Sequence, residues 1–439
     1  MSGNGCQRLD AKSADFDIAF ASLLHRDDLL DSAVMQTAQD IIADVRDRGD
    51  VALCEYTARF DDFKVSDAAT LEISSSARET AFQNLPSSLR QSLEAAAKRI
   101  QDFHERQKAT SWEYDDGCGS RLGQRLTPLD RIGVYVPGGK AAYPSSILMS
   151  AIPARIAGVT EIIMVVPTPQ GEDNNLVLAA SHLAQVDRAF RIGGAQALAA
   201  LAVGTKTVPR VDKIVGPGNA YVAAAKKALF GEVGIDMVAG PSEVVIIADP
   251  GADPKWLAMD LFTQAEHDEN AQSILLSPDA QLINQVEEAM QQLLPQMERR
   301  QIIESSLSQN GALIKVESLA TAVGLSNRIA PEHLQLMVED PEPLLDLVRH
   351  AGAIFCGYWS AEALGDYCAG PNHVLPTAGT ARFSSPLGVY DFQKKTNFIW
   401  CSPPGAAALS GIASNLAEHE GLFAHARSAA YRGSADRGC

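Results

Sequence analysis

The stretch Lys213-Ile-Val-Gly-Pro-Gly-Asn219 decides the fold. A short apolar run meets glycines, and an Ala-rich helical pattern follows from Tyr221 to Phe230. Strand, glycine turn and helix in that order are one βα unit of a parallel sheet. The same grammar recurs upstream. Gly133-Val-Tyr-Val136 reads as a strand ended by Pro137-Gly138-Gly139, with a helix expected from Ser145. Glu161 to Val166 reads as a buried strand, and Arg191-Ile192 meets Gly193-Gly194 before another Ala-rich helix. Continuous apolar strands of this kind belong to sheets covered on both faces.

Working outward, Val244–Ala248, Ser273–Leu276, the alternating Leu334, Leu336 and Val338, and Ala353–Phe355 form a second strand series, with a helix around 283–294. Residues 25–110 read as helical; one run begins at Asp31-Ser32 and stops at Gly49, and another covers Leu89 to about Arg106. From about residue 365 the chain becomes loop-rich and ends in an Ala/Ser-rich helical tail. The expected class is α/β, with two incomplete Rossmann-like domains whose parallel-rich sheets are flanked by helices.

Composition sets limits. At 439 residues, 46% hydrophobic and 21% charged, the chain is long enough for two or more cores. Its net charge of −17, without a Lys/Arg-rich block, disfavours a nucleic-acid partner. No apolar run approaches the roughly 18 residues of a membrane span, and Ile147–Val166 is broken by Pro153, Arg155 and Glu161. The first residues lack a secretory pattern, and seven scattered cysteines without a CxxC pair read as reduced thiols of a cytoplasmic protein.

Four segments carry chemistry. Gln264-Ala-Glu-His267 sets an amide and an imidazole one helical turn apart, a pattern fit for a cation or for a plain polar helix end. Pro331-Glu332-His333 precedes a strand; the two side chains suit proton transfer if both face one cleft, and a surface Glu beside a packed His otherwise. Asp366 and His373 bracket a Gly-Pro turn that suits a metal, a substrate or simple capping. Glu420 and His425 are five apart and do not share a face of one helix. No GxGxxG or P-loop is present, so the glycine turns serve either phosphate or ordinary tight turning.

Taken together, these segments resemble the histidinol dehydrogenase family from about residue 25 to 430. The resemblance rests on GVYVPGG at 133, GGAQALAALA at 193, VDKIVGPGNAYV at 211, DMVAGPSEV at 236, QAEHDENAQS at 264, NRIAPEHLQ at 327, GDYCAGPNHVLPT at 365, SPLGVYDF at 385 and the tail residues Glu420 and His425. Ala369 stands where the family usually has serine.

The resemblance implies a zinc-containing, NAD-dependent homodimer that oxidises L-histidinol to L-histidine through histidinal, in the last steps of histidine biosynthesis. Carried over by motif, Gln264, His267, Asp366 and His425 would hold Zn2+. Glu332 and His333 would be the acid–base pair. Ser242, His373 and Glu420 would contact substrate together with His333 and the zinc ligands, and Tyr135, Gln196 and Asn219 would line the NAD site. The tail would cross to the partner subunit. The domains would be an arm at 1–24, an α/β unit of 25–128 with 241–380 holding the metal and acid–base residues, an inserted NAD unit at 129–240 and a dimerisation tail at 381–439. A zinc hydrolase and a non-catalytic metal- or amine-binding protein are the competing readings.

Overall fold

The computed structural model describes residues 5–24, 31–138 and 144–433. They form two six-stranded sheets and one three-stranded sheet.

The first sheet is ordered Glu72–Ile73, Arg188–Phe190, Glu161–Val165, Arg131–Tyr135, Lys213–Val215, Gly234–Ile235. All its neighbours run parallel except the antiparallel edge strand Glu72–Ile73. Its strands are short and apolar because helices cover both faces. Ile132, Val134, Ile162 and Met164 pack under the helices Ser87–Glu105, Pro144–Ala157 and Asn175–Leu183. Ile163, Val165, Phe190 and Ile214 pack under Ser32–Arg48, Asp50–Phe60, Gly194–Val203 and Ala220–Leu229. The alternation follows from side chains pointing to opposite faces at successive strand positions.

The second sheet is ordered Gln7–Asp10, Ala312–Lys315, Gln272–Ser277, Glu243–Ala248, His333–Met337, Ala353–Cys356, parallel throughout. One face holds Val244, Ile246 and Leu275 against Pro254–Ala265, Ala280–Leu293 and Arg300–Asn310; the other holds Val245, Ile247, Leu334 and Leu336 against Phe16–Leu24 and Leu319–Ile329. Helix starts are fixed by side-chain oxygens accepting backbone N–H bonds, Asp253 and Asp279 among them.

The structure adds three details to the expected domains. The apolar faces of residues 32–105 lie on the first sheet, where Ile73 pairs with Ala189, while Arg99 and His104 also bond to the 368–372 loop of the 241–380 segment. The N-terminal segment is no loose arm: Gln7–Asp10 is an edge strand, and Phe16 and Phe20 are buried in the second core. The tail carries a strand before its helices: Gln393–Cys401 pairs antiparallel with Ser120–Pro128, which also pairs with Trp112–Asp115. Only then come the helices Pro403–His419 and Phe423–Gly433, packed on each other. Gln393–Cys401 reads as five polar residues followed by four apolar ones and is exposed along most of its length, so no period of two marks it as a strand. Gly139 and Lys140 lie outside the described residues. Among the described residues no helix is long and apolar enough to cross a membrane.

Candidate active site

The site is built on the amino-terminal edge of two neighbouring strands of the second sheet. Glu243 opens one strand and His333 opens the next, one residue out of register. The Glu243 peptide grips both members of the pair. Its N–H donates to Glu332 Oε2 at 3.0 Å, and its carbonyl accepts from His333 Nδ1 at 3.2 Å. Because the strand begins at His333, Glu332 escapes the strand's up-down alternation, and its Oε2 lies 3.8 Å from His333 Nδ1. A carbonyl only accepts, so Nδ1 carries a hydrogen and Nε2 is the nitrogen left to exchange a proton. Nε2 is buried, has no hydrogen-bond partner, and faces Asp366 Oδ1 at 3.7 Å.

Burial pushes the Glu332 carboxyl up to about 7, with His333 and the Glu243 N–H opposing the rise. Burial alone lowers His333, but Glu362, Glu332 and Asp366 outweigh it and push the imidazole up to about 10. Asp366 resists burial through its contact with His333 and is held below the ordinary carboxylate range.

Gln264 ends the helix Pro254–Ala265, which packs on Glu362–Tyr367, the helix carrying Asp366. The Gln264 side chain is fully buried, and neither its oxygen nor its nitrogen has a hydrogen-bond partner. A buried amide left unpaired costs about 1–3 kcal/mol, so the arrangement asks for a ligand. His267 sits on the exposed turn just beyond. Desolvation and the His333 charge lower its imidazole, while the nearby Asp366 opposes them. His373 donates from Nδ1 to the Asp366 carbonyl at 2.8 Å and receives the Ser146 hydroxyl at Nε2, 3.3 Å away, tying this loop to a helix of the first sheet. Ser242 lies in the approach to Glu243, where Gly240 N–H donates to Thr377 at 2.7 Å. Ala369 is exposed; its carbonyl accepts from Arg99 at 3.2 Å, and a serine hydroxyl there has no buried partner to lose.

Tyr135, Gln196 and Asn219 gather at the carboxyl edge of the first sheet. Tyr135 ends its strand, is buried, and accepts the Gly194 N–H on its hydroxyl at 3.2 Å. Gln196 is buried with an unpartnered Oε1, and exposed Asn219 caps the helix Ala220–Leu229 through Val222 N–H at 3.1 Å. Between the Tyr135 and Lys213–Val215 strands the winding changes direction, which is where doubly wound sheets open a ligand crevice. Gly216 has φ +109°, and a Cβ there would lie 2.2 Å from the Tyr135 carbonyl oxygen, so only glycine lets these two loops meet.

Glu420 and His425 are exposed on the tail hairpin, and no hydrogen bond or ion pair among the described residues joins them to the cluster. Two buried carboxylates escaped the sequence reading. Glu243 opens a wholly apolar strand, and Glu362 precedes Asp366 by four residues, the spacing that places both on one helix face. His333, Glu362 and Asp366 bring ligand atoms within 4.8 Å of one another.

With this geometry in hand, the histidinol dehydrogenase family profile matches residues 24–433. The chain belongs to the histidinol dehydrogenase family. It is 58% identical over 426 residues to histidinol dehydrogenase of Pseudomonas syringae pv. syringae, covering 97% of this chain and 95% of that one. It is 59% identical to histidinol dehydrogenase of Methylococcus capsulatus over 97% of this chain and 98% of the other. The crystal structure of histidinol dehydrogenase from Elizabethkingia anophelis superposes with a TM-score of 0.92 at 33% identity, over 98% and 99% of the two chains. Family membership makes the chain an oxidoreductase, and the parallel-rich α/β architecture is the family's.

Proposed function

We propose that this chain oxidises L-histidinol to L-histidine through histidinal with two NAD, using one zinc ion per subunit, in the cytoplasm as part of histidine biosynthesis. The observation that carries the reading is the Glu332–His333 pair. Both side chains are buried and held by one peptide, and His333 keeps an open nitrogen toward Asp366.

The donor set fits zinc. Gln264 supplies a buried unpartnered amide oxygen, His267 an imidazole and Asp366 a carboxylate, with His425 of a second copy as the fourth. Mixed nitrogen and oxygen ligands without cysteine suit a catalytic zinc that keeps open positions. Zinc held by these residues would orient the amino alcohol, and NAD in the proposed crevice would provide the hydride acceptor.

The chain's own residues handle the protons. With Asp366 committed to zinc, less of its charge would hold a proton on His333, and Nε2 takes the alcohol proton in the first oxidation. Glu332, titrating near neutrality, takes a proton from the water that hydrates the aldehyde. His333 serves again as base in the second oxidation. Ser242, His373 and Glu420 of the second copy contact the substrate. Tyr135, Gln196 and Asn219 line the NAD crevice, and residues 129–240 supply the dinucleotide-binding unit. The homodimer reading is supported by Leu416, Leu422 and Phe423, which flank Glu420 at 60%, 46% and 67% exposure and call for a covering surface.

The test is absorbance at the NADH band when histidinol and NAD are mixed with the purified protein, with and without a chelator. NADH formation abolished by chelation is expected. Silence in the metal-loaded protein would favour a hydrolase or a binding protein instead.

A further inference from the structure

Glu362 is the buried carboxyl group that the proposed mechanism leaves idle; burial pushes it up to about 8, with the His333 charge opposing the rise. It is 1% exposed, and neither carboxylate oxygen has a hydrogen-bond partner. A carboxyl group stripped of water is costly unless a cation or donor compensates, and a group this bare at this depth calls for a function.

Its surroundings narrow the choice. Three carboxylates ring His333: Glu332 Oε2 at 3.8 Å and Glu362 Oε1 at 3.9 Å from Nδ1, and Asp366 Oδ1 at 3.7 Å from Nε2. Glu332 Oε2 already accepts the Glu243 N–H, and Asp366 belongs to the proposed zinc set. Glu362 alone has both oxygens uncommitted, and among the described residues its one ion-pair partner is His333.

The placement is also built. Gln335 lies two residues beyond His333 and so shares its face of the strand. It is fully buried, and in the amide orientation that satisfies both ends its oxygen accepts the Glu362 N–H at 2.9 Å while its nitrogen donates to Asp260 at 3.1 Å. The strand that carries the base thus grips the backbone of Glu362, whose carboxylate returns to the base. Geometry closes a ring of His333, Gln335 and Glu362.

We propose that Glu362 is a positioning residue for His333, fixing the ring from its Nδ1 side and offsetting the charge gained when Nε2 takes the alcohol proton. The inference rests on His333 being the base. It adds a carboxylate that acts through that base and touches neither metal nor substrate. Preorganised charge near a developing cation works because it needs no rearrangement during the step.

The experiment uses the zinc-loaded full chain and compares Glu362→Gln, Glu362→Asp, His333→Asn and the double variant Glu362→Gln/His333→Asn. Steady-state constants for histidinol and NAD, bound zinc after dialysis and thermal midpoint are measured for each. Glu362→Gln is expected to lower kcat about 10- to 100-fold, as lost supporting contacts commonly do. Both KM values should stay within about twofold and zinc stoichiometric, the signature of a contact used only in the transition state. Glu362→Asp should restore part of the rate. A group that works through His333 adds nothing once His333 is gone, so the double variant should be no slower than His333→Asn alone.

Loss of zinc from Glu362→Gln would overturn the proposal in favour of a metal ligand. A raised histidinol KM at unchanged kcat would overturn it in favour of a substrate contact, and multiplicative losses in the double variant would make the role merely structural. Full turnover by Glu362→Gln beside an inactive His333→Asn defeats this proposal alone. Full turnover by His333→Asn defeats the base assignment as well. If Glu362→Gln does not fold, Gln335→Met unhooks the same ring with every charge kept, and unchanged kcat there would also sink the idea.

Discussion

The two six-stranded sheets are wound alike and used at opposite ends. In each, a central strand is followed by two strands on one side, then two on the other, and a strand from earlier in the chain forms the remaining edge. In the first sheet Tyr135, Gly194 and the Gly216–Asn219 turn meet at the carboxyl edge where the winding reverses, the place where such sheets take a ligand. In the second sheet the same edge is sewn shut. Asp249 accepts from the Tyr358 hydroxyl at 2.6 Å, Gly251 N–H at 2.8 Å and Glu339 N–H at 2.9 Å. Trp256 and Trp359 meet edge to face beside it, 5.1 Å between centroids. The unsatisfied polar atoms, His333 Nε2 and the Gln264 amide, lie at the other end. Topology alone nominates a carboxyl-edge crevice in both sheets. Hydrogen-bond satisfaction says which edges are free to take a ligand.

The largest expected effect breaks the chemistry at the second sheet's amino edge. Glu332→Gln and His333→Asn should each cut kcat by about 10²–10⁴, the usual worth of a general acid or base, with zinc retained. Asp366→Ala and His267→Ala should instead lose zinc on dialysis, which metal analysis separates cleanly from the first pair. Glu332→Gln should keep more activity on supplied histidinal hydrate than on histidinol, since hydration is the step it lacks. Near-full conversion of histidinol to histidine by that variant would refute its role.

Next comes a buried pair in the first sheet that is closed where the His333 cluster is open. Lys226 donates to Asp236 Oδ1 at 2.6 Å and to the Gly216 carbonyl at 2.5 Å, and Asp236 Oδ2 accepts the Gly216 N–H at 2.8 Å. Every partner is satisfied, so the pair holds the glycine turn and performs no chemistry. Lys226→Met strands a buried carboxylate and should cost about 3–5 kcal/mol of stability, read by denaturant unfolding. The NAD KM should rise while the histidinol KM holds. A variant as stable as the parent would show that the turn is held by other contacts.

The comparison also explains what the sequence made legible. Strands and glycine turns of the first sheet were readable because Val, Ile and Gly there answer to local rules. So was the second strand series, since Glu243–Ala248 and Gln272–Ser277 are apolar runs buried on both faces. The partition between sheets was not readable. Residues 32–105 are amphipathic helices, and an apolar stripe does not say which sheet it covers. Gln7–Asp10 is four polar-leaning residues at an edge, too short to carry a period. At the site, Glu332 and His333 were visible as a neighbouring pair, but their convergence depends on the strand starting at His333, a matter of one residue. Glu362 was missed because its meaning lies in what does not bond to it.

Asp249 gives a smaller, purely structural effect. Asp249→Ala leaves Glu339 N–H, Gly251 N–H and the Tyr358 hydroxyl without their acceptor. The cost should be about 1–3 kcal/mol, since the site is partly exposed and water replaces some bonds. Turnover per folded molecule should hold, because this edge lies across the sheet from His333. A loss of kcat exceeding the loss of folded protein would mean that the two edges communicate.

The smallest effect separates capping from binding at the first sheet's carboxyl edge. Asn219 accepts the Val222 N–H at 3.1 Å and is exposed toward the crevice. Asn219→Ala removes the cap and should cost about 0.5–2 kcal/mol. Asn219→Asp keeps a capping oxygen and adds a charge that a helix N-terminus favours, so stability should hold or rise slightly. That same charge would oppose the phosphates of a dinucleotide seated on the turn. If the crevice takes NAD, Asp should therefore raise the NAD KM more than Ala does, in reverse order to stability. If stability and NAD KM instead worsen together across the two variants, Asn219 is a helix cap and nothing more, and the first sheet's carboxyl edge loses one of its three proposed NAD contacts.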